Sequence, residues 1–531
     1  MFCQDRPVDV ARTEDEQALR EVEKQVLWLA TSIVQAANAR PGDGSGIKVG
    51  GHQASSASMV TIMTALWFDA LSAADRVSVK PHASPVLHAI NALLGRLPAE
   101  YLPRLREFGG LQPYPSRTKD PDSPDYSTGS VGIGATAPVW GAVARRYVST
   151  HFGTRPGGRQ ISLLGDAELD EGAVWECVAD PVVQRLGEVL WVVDVNRQSL
   201  DRIVPEIAVT RWAGMFAAAG WQVIEVKYGR RLQALFERDG GHLVRARIDA
   251  MDNEEYQWLL RAPFEELRDR LTRGDAALES ALRPLDDVEL AIAVRDLGGH
   301  DLVELSRAFR SVDNTRPTVV LAYTIKGCGL PIEGHPGNHS ALLSAEQYAE
   351  FAESLGKDPA DPWAPLEPDS PAGKLCARVA ARLQRSPVTP VEPPPVPAQL
   401  GRAYRGSTST QAALGRVLTD LTRDAPDVAR RVVTVSPDVA SSTNTGGWIN
   451  KVGVWSPQDR HDWFAEDGDR LVRWRETSTG QHLELGIAEV NLVGALGELG
   501  ATWTTLGEPL LPIGTVYDPF VGRCSRRSSS S

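Results

Sequence analysis

Between Ser386 and Pro397 the chain reads Ser386-Pro-Val-Thr-Pro-Val-Glu-Pro-Pro-Pro-Val-Pro397, six prolines in twelve residues. Proline fixes φ and has no backbone N–H, so a run this dense excludes helix and central strand and favours an extended linker. The chain therefore folds as two unequal pieces. Upstream, short apolar runs near Ile161, Val189, Gln222 and Thr318 alternate with helical stretches, the pattern of an α/β, doubly wound parallel sheet. Downstream, Arg431-Val-Val-Thr-Val-Ser436 opens a second domain of this kind. The charged stretch from Glu254 to Leu282, with periodic leucines, reads as one surface helix of the first domain.

Two of the upstream runs end on polar residues thirty positions apart, Ile161-Ser-Leu-Leu-Gly-Asp166 and Val192-Val-Asp-Val-Asn196. Apolar runs bounded by Gly, Asp and Asn are expected to be buried parallel strands, and open α/β sheets bind ligands at the carboxyl ends of their strands. Asp166 and Asn196 are thus expected to face one crevice. A hard cation such as Mg²⁺ takes a few protein oxygens and leaves its other positions to phosphate and water. One carboxylate, one amide oxygen and a nearby carbonyl suit it.

With the flanking Asp166-Ala-Glu-Leu-Asp-Glu171-Gly and Gln198-Ser-Leu-Asp-Arg202, these segments resemble the thiamine diphosphate motif, Gly-Asp-Gly followed at this spacing by Asn. The resemblance implies thiamine diphosphate as cofactor and Mg²⁺ held by Asp166, Asn196 and Gln198, with Ala167 in place of the motif's last glycine. It narrows to the homodimeric pyruvate dehydrogenase E1 component, within the transketolase-like branch, because further segments match in order. Gly50-Gly51-His52-Gln53-Ala54-Ser55, opening an apolar helix from Met59 to Leu71, is similar to the element whose His lines the active site and whose Ser approaches the cofactor. His82 in Lys80-Pro-His82 matches the second active-site His, with Lys80 where the family has glutamine. Ser127-Thr-Gly-Ser130-Val131-Gly-Ile-Gly134 resembles the turn whose main chain, at Ser130 and Val131, lies against the cofactor. Lys326-Gly-Cys-Gly329 resembles the Lys-Gly-x-Gly turn that follows a strand, and Tyr256-Gln257 is also E1-like. His339 sits near the mobile-loop His, two residues short of the expected spacing, and His335 competes for that role. Imidazoles titrate near neutrality, which suits proton exchange with a keto acid.

Gly480-Gln-His482-Leu-Glu484-Leu-Gly-Ile-Ala-Glu489-Val-Asn491 resembles the stretch whose glutamate hydrogen-bonds the cofactor's aminopyrimidine, a role that falls on Glu489. Such a carboxyl must be held protonated, so it needs apolar surroundings, expected from Ile487, Val490, Leu492 and Val493. Tyr517 and Phe520 match the aromatic pocket that grips the same ring.

The resemblance implies a thiamine diphosphate-binding fold, with a diphosphate domain over 1–385, a linker over 386–399, an incomplete pyrimidine domain over 400–522 and an aberrant Ser/Arg tail over 523–531. That tail has no apolar pattern, and the chain is expected to be C-terminally truncated. The implied reaction is decarboxylation of a 2-oxo acid, pyruvate first, with acyl transfer to a lipoyl arm. The implied partners are a second copy of the chain in a homodimer and a lipoyl acyltransferase core. Two alternatives stay open: a transketolase moving a two-carbon unit between sugar phosphates, and a non-catalytic remnant.

Composition narrows the partners. A net charge of −12 argues against nucleic acid, and no apolar run approaches the length needed to span a bilayer. The start, Met1-Phe-Cys-Gln-Asp-Arg-Pro-Val-Asp-Val, has no secretory pattern. Five scattered cysteines without a Cys-x-x-Cys pair point to reduced thiols in a cytoplasmic setting.

Overall fold

The computed structural model describes residues 13–40, 49–199, 202–204, 209–400, 402–437, 439–470 and 473–528. The expectations for Met1–Val10, for Leu200 and Asp201 in the loop after Gln198, and for 529–531 lie outside these residues.

The first sheet has five strands: β1 (Arg76–Ser78), β2 (Gln160–Gly165), β3 (Val189–Val195), β4 (Gln222–Val226) and β5 (Thr318–Tyr323). All pair in parallel, in the order β1-β2-β3-β5-β4. β2, β3 and β5 are buried along their whole length. Side chains alternate across a strand, so β3 sends Val189, Trp191, Val193 and Val195 into one core and Leu190 and Val192 into another. Continuous apolar runs are the consequence of covering both faces. Helix α1 (Thr13–Ala39) lies in the second of these cores, and helix α3 (Ile133–Phe152) in the first.

The second sheet is also parallel, with β6 (Val432–Ser436), β7 (Val454–Trp455), β8 (Glu476–Thr477), β9 (His482–Glu484) and β10 (Leu511–Gly514) in the order β8-β7-β9-β6-β10. Val433 and Val435 of β6 join the core that also holds Val139 and Val143 of α3, together with Leu492 and Leu499 of helix α5 (Glu489–Gly500). Helices α3 and α5 thus pack between the sheets, and Trp140 Nε1 donates to Asn491 Oδ1 at 3.1 Å. Ser386–Pro397 contains no helix or strand, as its prolines require, yet it is pinned: Val391 N donates to Gly507 O at 2.7 Å and Trp503 Nε1 to Val391 O at 3.1 Å.

Three expectations need correction. The stretch 254–282 is three helices, Asn253–Leu260, Phe264–Thr272 and Ala276–Leu282, broken at Pro263 and at Gly274, which has φ +77°. Its leucines 259, 260, 267, 271, 278 and 282 are core residues rather than part of a surface face. The helix expected over 59–71 begins earlier, as α2 (Gln53–Ala57), and resumes at Val60, ending in a π-helical turn over Leu66–Ala70. The Ser/Arg tail expected from 523 onward, which shows no apolar pattern, continues a helix, α6 (Val521–Ser528), that lies against α5. Among the described residues no helix is long and apolar enough to cross a membrane.

Candidate active site

Asp166 and Asn196 stand at the carboxyl ends of β2 and β3, neighbouring strands in register. The turn after β3 gathers their oxygens. Asp166 Oδ2 accepts from Arg197 N at 2.7 Å and Asn196 Oδ1 from Gln198 N at 3.1 Å, two consecutive backbone donors. Arg197 holds φ +63°, an uncommon conformation for a residue with a side chain, and its guanidinium lies over the Tyr256 ring at 4.6 Å. Burial, then the nearby Asp194, push the Asp166 carboxyl up to about 6. The Gln198 Oε1 is buried without a hydrogen-bond partner, while its Nε2 reaches His335 O at 3.4 Å. A carboxylate, an amide oxygen and an orphaned oxygen in one turn fit a hard cation. Ala167 is exposed beside them, and a cavity of about 490 Å³ opens along Asp166, Ala167, Arg197, Ser199 and Arg202.

Beneath this turn lies a buried hub centred on Asp194, in which Lys80 is a partner. Asp194 Oδ2 accepts from Lys80 Nζ at 2.6 Å, Ser58 Oγ at 2.7 Å and Asn196 Nδ2 at 3.1 Å, and its Oδ1 accepts from Thr324 Oγ1. Burial alone would raise Asp194, but Lys80 and the hydroxyl donors outweigh it and hold the carboxyl below its usual range. A lysine in a strand-to-helix turn was the available signal.

His52, His82 and His339 come together from three segments. Their ring centroids are 3.9 Å (His52–His82), 4.7 Å (His52–His339) and 5.6 Å (His82–His339) apart. His52 Nδ1 donates to His339 O at 2.8 Å, which leaves its Nε2 as an acceptor. Lys326 Nζ meets His339 Nδ1 at 3.1 Å, an arrangement that makes His339 the Nε2–H tautomer. Burial, then His52 and Lys80, push His82 down to about 2, and burial lowers His52. Ser56 Oγ holds His82 O at 2.8 Å, and Gln53 ties the His52 segment to Thr31 O (3.3 Å) and Leu343 N (2.9 Å). The ring nitrogens lie within 4.8 Å of one another. Lys326 on one ring, with Lys80 and Arg106 nearby, makes the cluster a better host for an anion than for a metal. His335 is exposed and its Nδ1 turns back to Gly337 N at 3.0 Å, so of the two competing histidines His339 is the one in the cluster.

Other expected residues frame this space. Ser55 is buried in α2, and Gly327 N of the Lys326 turn donates to Ala54 O beside it at 2.9 Å. Gly327 (φ +81°) and Gly329 (φ +77°) need their glycines. Ser130 and Val131 are exposed on a turn whose Gly132 packs against Glu171 and Val174, just after Asp166.

Glu489, Tyr517 and Phe520 all come from the part of the chain that builds the second sheet. Glu489 heads α5 at 1% exposure; both its oxygens lack a hydrogen-bond partner, and Arg523 Nη1 stands 3.0 Å from Oε2. Leu492 is buried and Val490 and Val493 are half-buried, but Ile487 is 73% exposed, and the Arg523 guanidinium puts a cation beside the carboxyl where apolar surroundings were expected. Tyr517 and Phe520 meet edge to face at 6.4 Å, and the Tyr517 hydroxyl bonds Ser442 Oγ.

Comparison with known proteins gives a consistent picture. Residues 30–238 match the family model described as transketolase, thiamine diphosphate binding domain, and residues 395–524 the model of the pyruvate dehydrogenase E1 component middle domain. The pyruvate dehydrogenase E1 component of Pseudomonas aeruginosa is 28% identical over 534 residues, covering 94% of this chain and 59% of that protein. The protein of the same name from Corynebacterium glutamicum is 28% identical, with 95% and 58% covered. The chain thus spans less than two thirds of these curated relatives. Transketolase from Campylobacter jejuni superposes with a TM-score of 0.62 at 17% identity over 96% of this chain and 66% of that one, a likeness of fold.

Proposed function

We propose that this chain, which matches a thiamine diphosphate binding domain and a pyruvate dehydrogenase E1 middle domain, carries out thiamine diphosphate-dependent oxidative decarboxylation of a 2-oxo acid, pyruvate first, with acyl transfer to a lipoyl group on an acyltransferase partner. The observation that carries it is the gathering of Asp166, Asn196 and Gln198 at two strand ends, with three imidazoles and Lys326 assembled from distant segments. On this reading residues 1–385 are the diphosphate side, 386–399 the linker and 400–522 part of the pyrimidine side; the first family match ends at 238 and the second begins at 395, within the proline run.

Asp166, Asn196 and Gln198 would hold Mg²⁺. Ser55, Ser130, Val131, Ala167 and Lys326 would border the diphosphate, and Tyr517, Phe520 and Glu489 the aminopyrimidine. The cofactor supplies, when bound, a nucleophilic carbon and an electron sink for decarboxylation. The residues do the rest. Neutral His52 accepts at Nε2 and His339 donates at Nε2–H, so the pair can pass a proton to and from a keto acid. The positive charge around the imidazoles draws in the acid's carboxylate. Glu489 is buried at the head of α5 with Arg523 Nη1 3.0 Å from Oε2, and its Oε1 is the oxygen left to bond the ring. A centre completed by a second copy in a homodimer is part of this proposal.

The test is CO₂ release from the purified full chain with thiamine diphosphate, Mg²⁺ and pyruvate. Release that falls by roughly a hundred-fold or more in Glu489→Gln supports the reading, as expected for loss of general acid–base assistance. Release equal in the variant, or none from folded wild type, contradicts it.

A further inference from the structure

We propose that Asp194, held by Lys80, is the positioning residue that fixes the amide of Asn196 with its oxygen turned toward Asp166. This rests on reading Asp166 and Asn196 as the cation-binding pair, and goes beyond it to residues in the layer below.

An asparagine amide can sit either way round, and its neighbours decide which. Here two neighbours act together. Asn196 Nδ2 donates to Asp194 Oδ2 at 3.1 Å, and Asn196 Oδ1 accepts from Gln198 N at 3.1 Å. A flipped amide would set its oxygen against a carboxylate that only accepts and its NH₂ against a backbone N–H that only donates. The observed orientation brings the amide oxygen to Gln198 N, next to the Arg197 N that bonds Asp166. Two oxygens on consecutive amides present themselves to one cation.

A neutral asparagine at 194 would not impose this, because its own NH₂ could donate to a flipped Asn196. The carboxylate is required, and a carboxylate at 0% exposure is costly unless paired. Lys80, 7% exposed at 2.6 Å, is that pair. Its stem fills the space above Gly165, where an added Cβ would come within 3.1 Å of Lys80 Cε. Ser58 and Thr324 occupy further acceptor sites of Asp194 and pin it to the segments before β1 and after β5.

The experiment is a calorimetric Mg²⁺ titration of the full chain in the presence of thiamine diphosphate, with melting curves to confirm folding. The paired variant Lys80→Gln with Asp194→Asn removes both charges together and avoids stranding one. It is expected to bind Mg²⁺ roughly ten-fold or more weakly, the usual scale for losing an outer-layer partner of a metal ligand. Lys80→Met with Asp194→Asn carries the same expectation should the first pair not fold. Wild-type affinity in a folded double variant overturns the proposal. Asn196→Ala separates the two levels: if it too binds Mg²⁺ like wild type, the cation-pair reading falls with it, whereas a loss there beside an unaffected double variant removes the positioning role alone.

Discussion

At residue scale, what the sequence made legible was whatever sits at a strand end. Asp166 and Asn196 each close an apolar run, so their shared crevice follows from strand geometry alone. Asp194 and Lys80 each lie inside a segment that carries a motif, but they are 114 residues apart, so spacing could not pair them. His339 and His335 could not be separated by spacing, since the turn over 329–338, with Asn338 Nδ2 on Lys326 O and Ile332 O, decides which imidazole faces inward. A buried histidine on the other sheet gives a pH prediction. His482 lies at 0% exposure with Nδ1 on Thr434 Oγ1 and Nε2 without a partner, and burial pushes it down to about 4. A folded-state value below the unfolded one near 6.5 means stability that is whole above pH 6.5 and lost as pH falls toward 4. By about pH 5 this group should cost about 2 kcal/mol. Urea unfolding of wild type and His482→Gln is expected to show a stability gap that shifts by that amount in the variant's favour between about pH 7.5 and pH 5; a constant gap would refute the assignment.

At the scale of elements, periodicity located the buried strands well because a strand covered on both faces is apolar throughout. It failed over 254–282, where leucines at helical spacing look alike whether one helix or three carry them; Pro263 and Gly274 were the marks of the breaks. The short strands β7, β8 and β9 depend on a close approach that only structure reveals. A Cβ on Gly480 would fall 2.2 Å from the Val454 carbonyl carbon, so only glycine lets the turn before β9 rest on β7. Gly480→Ala is expected to destabilise the chain by on the order of 3 kcal/mol through overpacking, seen as a lower melting temperature. An unchanged melting temperature would mean that the turn can move away without loss.

At the scale of the whole molecule, the proline run marked a real change of sheet, although the segment is docked at Val391 and does not swing free. The candidate residues fall on both sheets: the imidazoles and the cation turn on the first, and Glu489 and the Tyr517–Phe520 pair from the part of the chain that builds the second. Motifs named both, and could not show that Arg523 stands against Glu489 or that Ile487 faces outward. Everything in the functional account depends on the first group holding thiamine diphosphate through a cation. The direct measurement is calorimetric titration of thiamine diphosphate into the full chain, with and without Mg²⁺, for wild type and Asp166→Ala. Saturable binding that requires Mg²⁺ and disappears in the variant is the expected result. Binding that ignores Mg²⁺, or that survives in Asp166→Ala, would contradict the account.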